Sequence, residues 1–246
     1  MAYTGGIPPE RIAAMTPPLN KKDAALADLQ ARILKLDLAP GSALEEAPLC
    51  ALYGLSRTPL REVLQRLDGM GFIALEPGRG AEVAPLDLSR IRQFFKSGPL
   101  LHSVVARQAA EGASAEGHIA LRTAQANVVR ARVARNAASM ALADYQFHRM
   151  MCQVSGNPYI GPSLERLLVD QTRMSQKFWR ATSGTDSARI EKAMTEHESL
   201  VEAIVGRNAG RAVSIALAHW EDMRAHIEAH VQPAPLADEG GLLDGL

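Results

Sequence analysis

The sequence has few cysteines, no excess of either charge and no long uncharged hydrophobic run. Among its 246 residues are two cysteines, 27 basic residues and 27 acidic residues, so the formal net charge is zero. This balance argues against a protein that coats nucleic acid without regard to sequence, because such binding requires broad neutralisation of phosphates. It still allows a few local arginines to recognise one site. Cys50 and Cys152 fall in different predicted domains and are expected to be buried thiols, not a disulfide.

The same shortage of apolar runs excludes a transmembrane helix. The first 20 residues lack a basic segment followed by an apolar core, so they do not have the pattern of a secretory signal. We therefore expect a cytoplasmic protein with no membrane partner. Hydrophobic residues make up 47% of the chain, and its length is sufficient for two domains that each have a core.

The most informative segment is residues 54–67, GLSRTPLREVLQRL. Ser56 or Thr58 can cap a helix there, and a proline is tolerated in the first turn. Arg57 and Arg61 lie near the start of this helix and on one face, an arrangement that can present arginines to guanine edges or phosphates in the major groove of DNA. The opposite, buried face is predicted from apolar residues at helical spacing, namely Leu60, Val63, Leu64 and Leu67.

Most amphipathic helices with two exposed arginines are simply solvated, so the flanking segments decide between the two interpretations. Residues 47–54 predict a short helix closed by a glycine. Residues 72–75 and 81–84 predict two strands around a Pro/Gly turn. Two helices followed by a hairpin form a winged helix-turn-helix, in which Arg79 and Gly80 at the wing can enter a minor groove or hold a phosphate.

Prolines and glycines, which interrupt helices and strands, divide the chain into four predicted parts. Residues 1–20 are expected to be a flexible arm, residues 21–85 the winged helix-turn-helix domain, and residues 232–246 a disordered tail. Residues 86–231 contain no convincing strand, and their breaks predict six or seven helices packed as an antiparallel bundle. The predicted fold class is mainly α, with a small β-hairpin wing in the first domain and an all-α second domain.

These segments also resemble a known family. The motifs PGSALE at 40–45, LSRTPLREVL at 55–64 and PGRGAEV at 77–83 are similar to the DNA-binding domain of GntR-family transcriptional regulators. The similarity is closest to the FadR-type branch and covers residues 21–230. In that branch the second domain is a helical ligand-binding bundle called FCD, so the resemblance implies that residues 86–231 form an effector-binding domain.

The DNA-binding residues that we predict are Arg57, Thr58, Arg61, Arg79 and Gly80. One winged domain contacts too few base pairs for operator specificity, so we expect a homodimer on a palindromic double-stranded operator. The helical domain is expected to supply most of the dimer interface. The resemblance implies a transcriptional regulator, most simply a repressor, that releases its operator when a small metabolite binds.

A second group of residues consists of candidate metal ligands. Asp144 and His148 are four residues apart and therefore on one face of one helix. His197 and His219 lie on two predicted helices joined by a turn at 206–210, so both imidazoles can reach one level of the bundle. Each residue alone is more often a structural one. Many FCD domains bind a divalent metal with one aspartate and three histidines, and all four positions match here.

Three imidazoles and a carboxylate suit Zn²⁺, Ni²⁺, Mn²⁺ or Fe²⁺, and the ligand types do not choose among them. The resemblance implies that the effector is a small organic acid whose carboxylate meets the metal. Arg173 is a candidate second contact for this anion, although a surface position fits the sequence equally well. His226 and His230 are rival ligands that we place outside the site, and His102 has no predicted role.

The chain departs from the family pattern in the first helix of the bundle. FCD domains usually have an arginine there and a glutamate one turn later, whereas this chain has KSGPLLH at 96–102, with Lys96 and Ser97 ahead of a proline. Pro99 should break or kink this helix, because proline lacks the backbone N–H and its ring clashes with the preceding turn. The family's effector contacts therefore do not transfer directly to this stretch.

A metal-dependent hydrolase or oxygenase is the alternative function, since an aspartate and three histidines could activate water. Glu196 and Glu198 flank His197 but should point away from it around the helix, which leaves the site without an obvious general acid or base. The sequence also lacks a His-Glu-x-x-His motif, a nucleophile elbow and a Gly-rich phosphate loop. We therefore predict a regulator and no enzymatic activity.

Overall fold

The computed structural model describes residues 20–76 and 80–230, and its main elements are helices. The predicted tail and all of the predicted arm except Asn20 lie outside the described residues. In chain order the elements are α1 (Lys21–Leu34), β1 (Ala43–Leu44), α2 (Glu46–Tyr53), α3 (Arg57–Gly69), β2 (Ile73–Glu76), β3 (Gly80–Val83), α4 (Leu88–Gly112), α5 (Ala115–Val133), α6 (Ala137–Ser155), α7 (Ile160–Met174), a 3₁₀ turn (Ser175–Lys177), α8 (Gly184–Val205) and α9 (Ala209–His230). The predicted mainly α fold class is confirmed.

Local capping explains where the helices of the first domain begin and end. The side chain of Asn20 accepts a hydrogen bond from the backbone N–H of Asp23 and so caps α1. Gly54 ends α2 with a left-handed φ of 58°, a conformation that costs glycine little. Ser56 occupies the N-cap position of α3, as predicted, but its side chain makes no capping hydrogen bond to the described residues.

The predicted helix-turn-helix and its core are present. All four apolar residues predicted on the buried face of α3 are no more than 2% exposed, namely Leu60, Val63, Leu64 and Leu67. The wing is an antiparallel hairpin whose register runs from Ile73 opposite Val83 to Glu76 opposite Gly80. A third strand, β1, pairs with the outer side of β3 and gives the order β1-β3-β2. With two residues, β1 is too short to produce a periodic pattern in the sequence.

The second domain consists of α4 to α9, with α4 packed against α9 and α6 against α5 and α7. The predicted break at Pro99 is wrong, because α4 continues through this residue from Leu88 to Gly112. Buried residues hold the helix on both sides of the proline, and the loss of one backbone hydrogen bond is offset by this packing. Phe94 precedes Pro99 and contacts Trp220, and His102 follows it and contacts the same indole.

One helix of the second domain, α7, contacts the first domain at three separate points. Arg166 donates to carbonyl groups at the C-terminal end of α3, at 3.2 and 3.4 Å. Arg173 donates to the backbone oxygen of Ala84, just after the wing, at 2.6 Å. Gln176, directly after α7, donates to the backbone oxygen of Leu34 at the end of α1, at 2.7 Å. The helix therefore touches α1, α3 and the exit of the wing together.

Both cysteines are free, as predicted. Cys152 is buried, as predicted, whereas Cys50 is only half-buried, so its predicted full burial is wrong. Within the described part of the chain, no helix has both the length and the apolar character needed to cross a membrane.

Candidate metal centre and DNA-binding surface

The structure brings the four predicted metal ligands together inside the helical domain. Asp144 and His148 lie one turn apart on α6, His197 lies on α8, and His219 lies on α9. Each offers one ligand atom, and these atoms all lie within 4.8 Å of one another. All four residues are between 0 and 6% exposed. Three helices thus deliver one carboxylate and three imidazoles to a single buried point.

The interatomic distances show how the donors converge. Asp144 Oδ1 lies 3.5 Å from His148 Nε2 and 3.4 Å from His197 Nε2. His197 Nε2 lies 3.2 Å from His219 Nε2. Among the described residues, neither Asp144 Oδ1 nor His148 Nε2 has a hydrogen-bond partner, although both atoms are buried. Buried polar atoms are normally satisfied, so this group of converging donors fits a bound cation.

The environment of His197 favours the neutral form of its imidazole, which is the form that a metal requires. Burial lowers the pKa of His197 well below its usual value, and the neighbouring His219 and His148 add to this effect. A metal binds the unprotonated imidazole nitrogen, so a histidine that resists protonation is prepared for coordination. The ring of His197 also stacks on Phe147, with the ring centroids 4.3 Å apart, which fixes its orientation.

Sequence reasoning missed a carboxylate beside the cluster. The expectation that Glu196 would leave the site without a neighbouring carboxylate is wrong, because this side chain reaches His219 on the next helix. Its Oε2 atom accepts a hydrogen bond from Nδ1 of His219 at 2.9 Å. The contact joins residues on two helices and has no signature in the local sequence.

Sequence reasoning also missed His102, to which it gave no role. This histidine of α4 is 4% exposed, and its ring centroid lies 5.3 Å from that of His148. Its Nε2 atom lies 3.0 Å from Oε1 of Gln171 on α7. Burial, followed by the charge of His148, lowers the pKa of His102 to about 3. The available signal was its spacing of eight residues after the buried Phe94, which places both residues on one helix face.

Arg173 lies in the interior, so its alternative surface position is excluded. Its side chain is fully buried, forms an ion pair with Asp170 and donates to Ala84. Asp170 also accepts from Arg90 Nε at 2.5 Å. The described contacts of Arg173 therefore tie the bundle to the wing, and Arg173 is not one of the four residues of the metal cluster. Its role as an effector contact stays a prediction.

Among the described residues, the rival histidine His226 does not join the cluster of ligand atoms. The ring of His226 packs edge-on against Phe178, with the centroids 5.2 Å apart. The side chain of His230 lies outside the described residues.

Three of the five residues predicted to bind DNA lie on the exposed face of α3. Arg57, Thr58 and Arg61 are all exposed at its N-terminal end. Arg61 is held by Glu46 of α2 in a two-point ion pair, with Nε to Oε1 at 2.6 Å and a second contact at 3.1 Å. The hydrogen bond from Arg61 lowers the pKa of Glu46. The glutamate therefore holds this guanidinium at the surface of the domain.

The wing is only partly described. Gly80 begins β3 with a φ of 84°, and no described atom lies within 4 Å of the position that a Cβ would occupy. A side chain at this position would be strained by the backbone, while the space around it is open. Arg79 lies outside the described residues.

Comparison with known families matches both parts of the chain. Residues 21–83 match the family described as bacterial regulatory proteins of the gntR family, and residues 100–229 match the FCD domain.

Individual proteins with similar sequences are also regulators. The galactonate operon transcriptional repressor of Escherichia coli K12 is 26% identical over 219 residues, which cover 81% of this chain and 93% of that protein. The HTH-type transcriptional regulator LutR of Bacillus subtilis 168 is 24% identical over 217 residues, which cover 80% of this chain and 98% of LutR.

Solved structures share the fold at lower sequence identity. McbR/YncC of E. coli has a TM-score of 0.71 at 16% identity and covers 87% of this chain, with all of that protein aligned. A GntR regulator of Rhodococcus sp. RHA1 described as putative has a TM-score of 0.65 at 17% identity, and covers 86% of this chain and 99% of its own.

Proposed function

Because the chain belongs to the GntR family of bacterial regulators and carries an FCD domain, we propose that it is a repressor controlled by a small organic acid bound at a metal centre. Proteins of this family regulate transcription and are not enzymes. The observation that carries the proposal is the buried convergence of four ligand atoms from three helices in the effector domain.

The proposed ligands are Asp144, His148, His197 and His219, and the candidate ions are Zn²⁺, Ni²⁺, Mn²⁺ and Fe²⁺. When bound, such an ion would supply a Lewis-acid centre to which a carboxylate oxygen can coordinate. The four residues would hold the positive charge of the ion in a buried environment, where electrostatic interactions are stronger than in water.

The proposed effector is a small carboxylate metabolite. The name of the E. coli relative supports this chemistry, since galactonate is a sugar acid with one carboxylate. Arg173 is the proposed second contact for the anion. Its guanidinium already pairs with Asp170, so an anion bound there would share this group with that carboxylate.

On the DNA side, we propose that Arg57, Thr58, Arg61, Arg79 and Gly80 contact a palindromic operator. The proposed protein is a homodimer that places two recognition helices in successive major grooves. The helical domain is proposed to supply most of the dimer interface. It has apolar surface available for this purpose, since Ile119 and Val133 of α5 are 67 and 78% exposed.

The proposed boundary between the two domains is at residues 85 and 86, between the wing and the start of α4. A regulator of bacterial transcription acts where the DNA lies, so we propose a cytoplasmic location.

The contacts of α7 support a route from the metal centre to the winged domain. Gln171 on this helix bonds His102, whose ring lies against the metal ligand His148. The same helix holds Ala84 through Arg173 and the end of α3 through Arg166. A change in the metal pocket that moves α7 would therefore act on the recognition helix and the wing together. An effector can weaken operator binding only if it favours one of these arrangements over the other.

An enzymatic function has less support. The carboxylate found beside the cluster, Glu196, is already engaged by His219 and Lys192. These contacts occupy the carboxylate of Glu196, so this residue is not available as a general base.

The proposal is tested with purified protein and operator DNA selected from a random duplex pool. Organic acids, beginning with galactonate, are screened by thermal shift with and without each metal, and hits are tested for release of operator DNA. We expect an effect of about 1–3 kcal/mol on operator binding. The double variant His197→Ala, His219→Ala should lose stoichiometric metal by elemental analysis and lose the effector response, whereas the control His118→Ala should keep both.

Each outcome points to a different part of the proposal. Stoichiometric metal in the double variant would mean that the ligands are wrong. Loss of metal with an unchanged effector response would mean that the metal is structural and that the switch lies elsewhere.

A further inference from the structure

The three imidazoles of the cluster differ in what lies behind them. Nδ1 of His148 and Nδ1 of His197 are buried without a hydrogen-bond partner among the described residues. Nδ1 of His219, in contrast, lies 2.9 Å from a carboxylate oxygen of Glu196. One of the three ligands therefore has a charged group that orients it.

This contact determines which nitrogen of His219 carries the proton and which keeps a lone pair for the cluster. A carboxylate accepts a hydrogen bond, so the proton of the neutral ring resides on Nδ1 and the lone pair remains on Nε2. Nε2 is the atom that lies 3.2 Å from Nε2 of His197, inside the group of ligand atoms. A carboxylate in this position also makes the imidazole a stronger donor to a metal.

Glu196 is itself held in place. Its second oxygen, Oε1, lies 3.7 Å from Nζ of Lys192, one turn earlier on α8. The same ammonium group forms an ion pair with Asp222 on α9. The side chain of Glu196 is only 15% exposed, whereas that of Lys192 is 60% exposed. The row Asp222–Lys192–Glu196–His219 therefore runs from the surface to the cluster and links α8 to α9.

We propose that Glu196 is a positioning residue of the metal centre, which fixes the tautomer and ring orientation of His219 and strengthens its bond to the metal. The inference rests on the proposed metal site. It adds that the three histidines are unequal, with His219 the ligand whose strength the protein adjusts.

The test measures metal affinity, with no need for operator or effector. The Kd for Zn²⁺ is determined at one fixed pH by competition with a chromophoric chelator, for the wild type and for Glu196→Ala and Glu196→Gln. Glu196→Ala removes the acceptor, and we expect metal binding to weaken by about 10–100-fold. Glu196→Gln keeps an acceptor oxygen but loses the charge, so its loss should be smaller.

Glu198→Gln is the matched control, because this glutamate lies two residues further on the same helix and is exposed. Its Kd should equal that of the wild type. The visible spectrum of the Co²⁺-loaded protein gives a second readout. It should change in Glu196→Ala and not in the control, because only the former removes the hydrogen bond that orients the ligand His219.

The outcomes distinguish a failure of the proposed metal site from a failure of the positioning role of Glu196. If the wild type binds no Zn²⁺, the proposed metal site fails and the role of Glu196 fails with it. If the wild type binds Zn²⁺ and both Glu196 variants bind it equally well, the metal site stands and the positioning role is overturned. If Glu196→Ala does not fold, the isosteric Glu196→Gln variant decides, and an unchanged Kd and Co²⁺ spectrum would overturn the proposal.

Discussion

The two domains present their candidate functional residues in opposite ways. In the winged domain they are at the surface, and the side chain of Arg61 is 62% exposed. In the helical domain they are buried, and His197 is not exposed at all. A DNA duplex can meet only surface groups, whereas an ion is small enough to be enclosed by several helices. The size of the proposed ligand therefore fits the placement of each site.

The same contrast applies to the ion pairs that organise each region. The pair between Arg61 and Glu46 is exposed to solvent, and such pairs add little to folding. The pair between Arg173 and Asp170 is buried, so loss of one partner leaves a charge that water cannot solvate. Substitutions in the first domain should therefore alter binding, and those in the second should alter stability.

The largest expected effect is on DNA binding. Arg57→Ala combined with Arg61→Ala should remove about 2–6 kcal/mol of specific binding free energy, if each arginine contributes about 1–3 kcal/mol by a two-point contact with guanine. The melting temperature should hardly change, because both side chains are exposed. Fluorescence anisotropy with the selected operator gives the affinity, and circular dichroism gives the folding.

The matched control is Arg66→Ala on the same helix, whose arginine pairs with Asp23 of α1. It should keep most of the operator affinity. An undiminished affinity in the Arg57, Arg61 double variant would remove α3 as the reading element.

The next effect is on stability. Arg173→Met should lower the free energy of unfolding by about 3 kcal/mol, the lower end of the range for breaking a buried ion pair. The lower end applies because Asp170 retains its contact with Arg90. Arg149→Met is the comparison, since it breaks the more exposed pair with Glu165 and should cost at most about 1 kcal/mol. Urea unfolding measures both, and equal losses would contradict the difference drawn between buried and exposed pairs.

A smaller loss of stability is expected at Gly98. A Cβ there would lie 1.9 Å from the ring of Trp220, so Gly98→Ala forces the buried indole away from α4. Overpacking of this kind costs about 1–3 kcal/mol. In Gly112→Ala, at the end of the same helix, no described atom lies within 4 Å of the new Cβ, so stability should be unchanged or slightly higher. A melting temperature of Gly98→Ala equal to that of the wild type would refute the close contact.

The smallest effect is chemical and compares one thiol from each domain. Burial raises the pKa of Cys152, so at neutral pH it holds less thiolate than an ordinary cysteine and should react slowly with iodoacetamide. Cys50 is only half-buried and should be labelled first. Raising the pH should increase the rate at which iodoacetamide labels Cys152, and this increase should occur at higher pH than for a free thiol. Peptide mass spectrometry after timed labelling measures the order, and faster labelling of Cys152 would contradict its burial.

The winged domain could be predicted from sequence because its elements are local. Every residue of the predicted reading face lies between positions 56 and 61, on one helix with a regular apolar repeat. A helix fixes the direction of its side chains by its own geometry, so the spacing in the sequence is also a spacing in space. The β1 strand escaped prediction because its pairing with β3 joins distant parts of the chain.

The helical bundle itself could also be predicted, whereas Pro99 shows where local rules fail. The proline rule considers one helix in isolation, but α4 is packed between other helices through Phe94 and His102. Tertiary packing supplied the stability that the local rule left out.

The sequence by itself determined the fold class, the exposed face of α3 that we propose reads DNA and, through resemblance to a family, the four residues of the Asp/His cluster. Tertiary structure alone decided that Glu196 supports His219, that His102 lies against His148, and that Arg173 is buried at the junction of the domains. The physical reason is that helix periodicity fixes which face a residue is on, but not which residue of another helix it meets. The contacts between side chains on different helices depend on how α4, α6, α7, α8 and α9 pack together, and no local stretch of sequence encodes this packing.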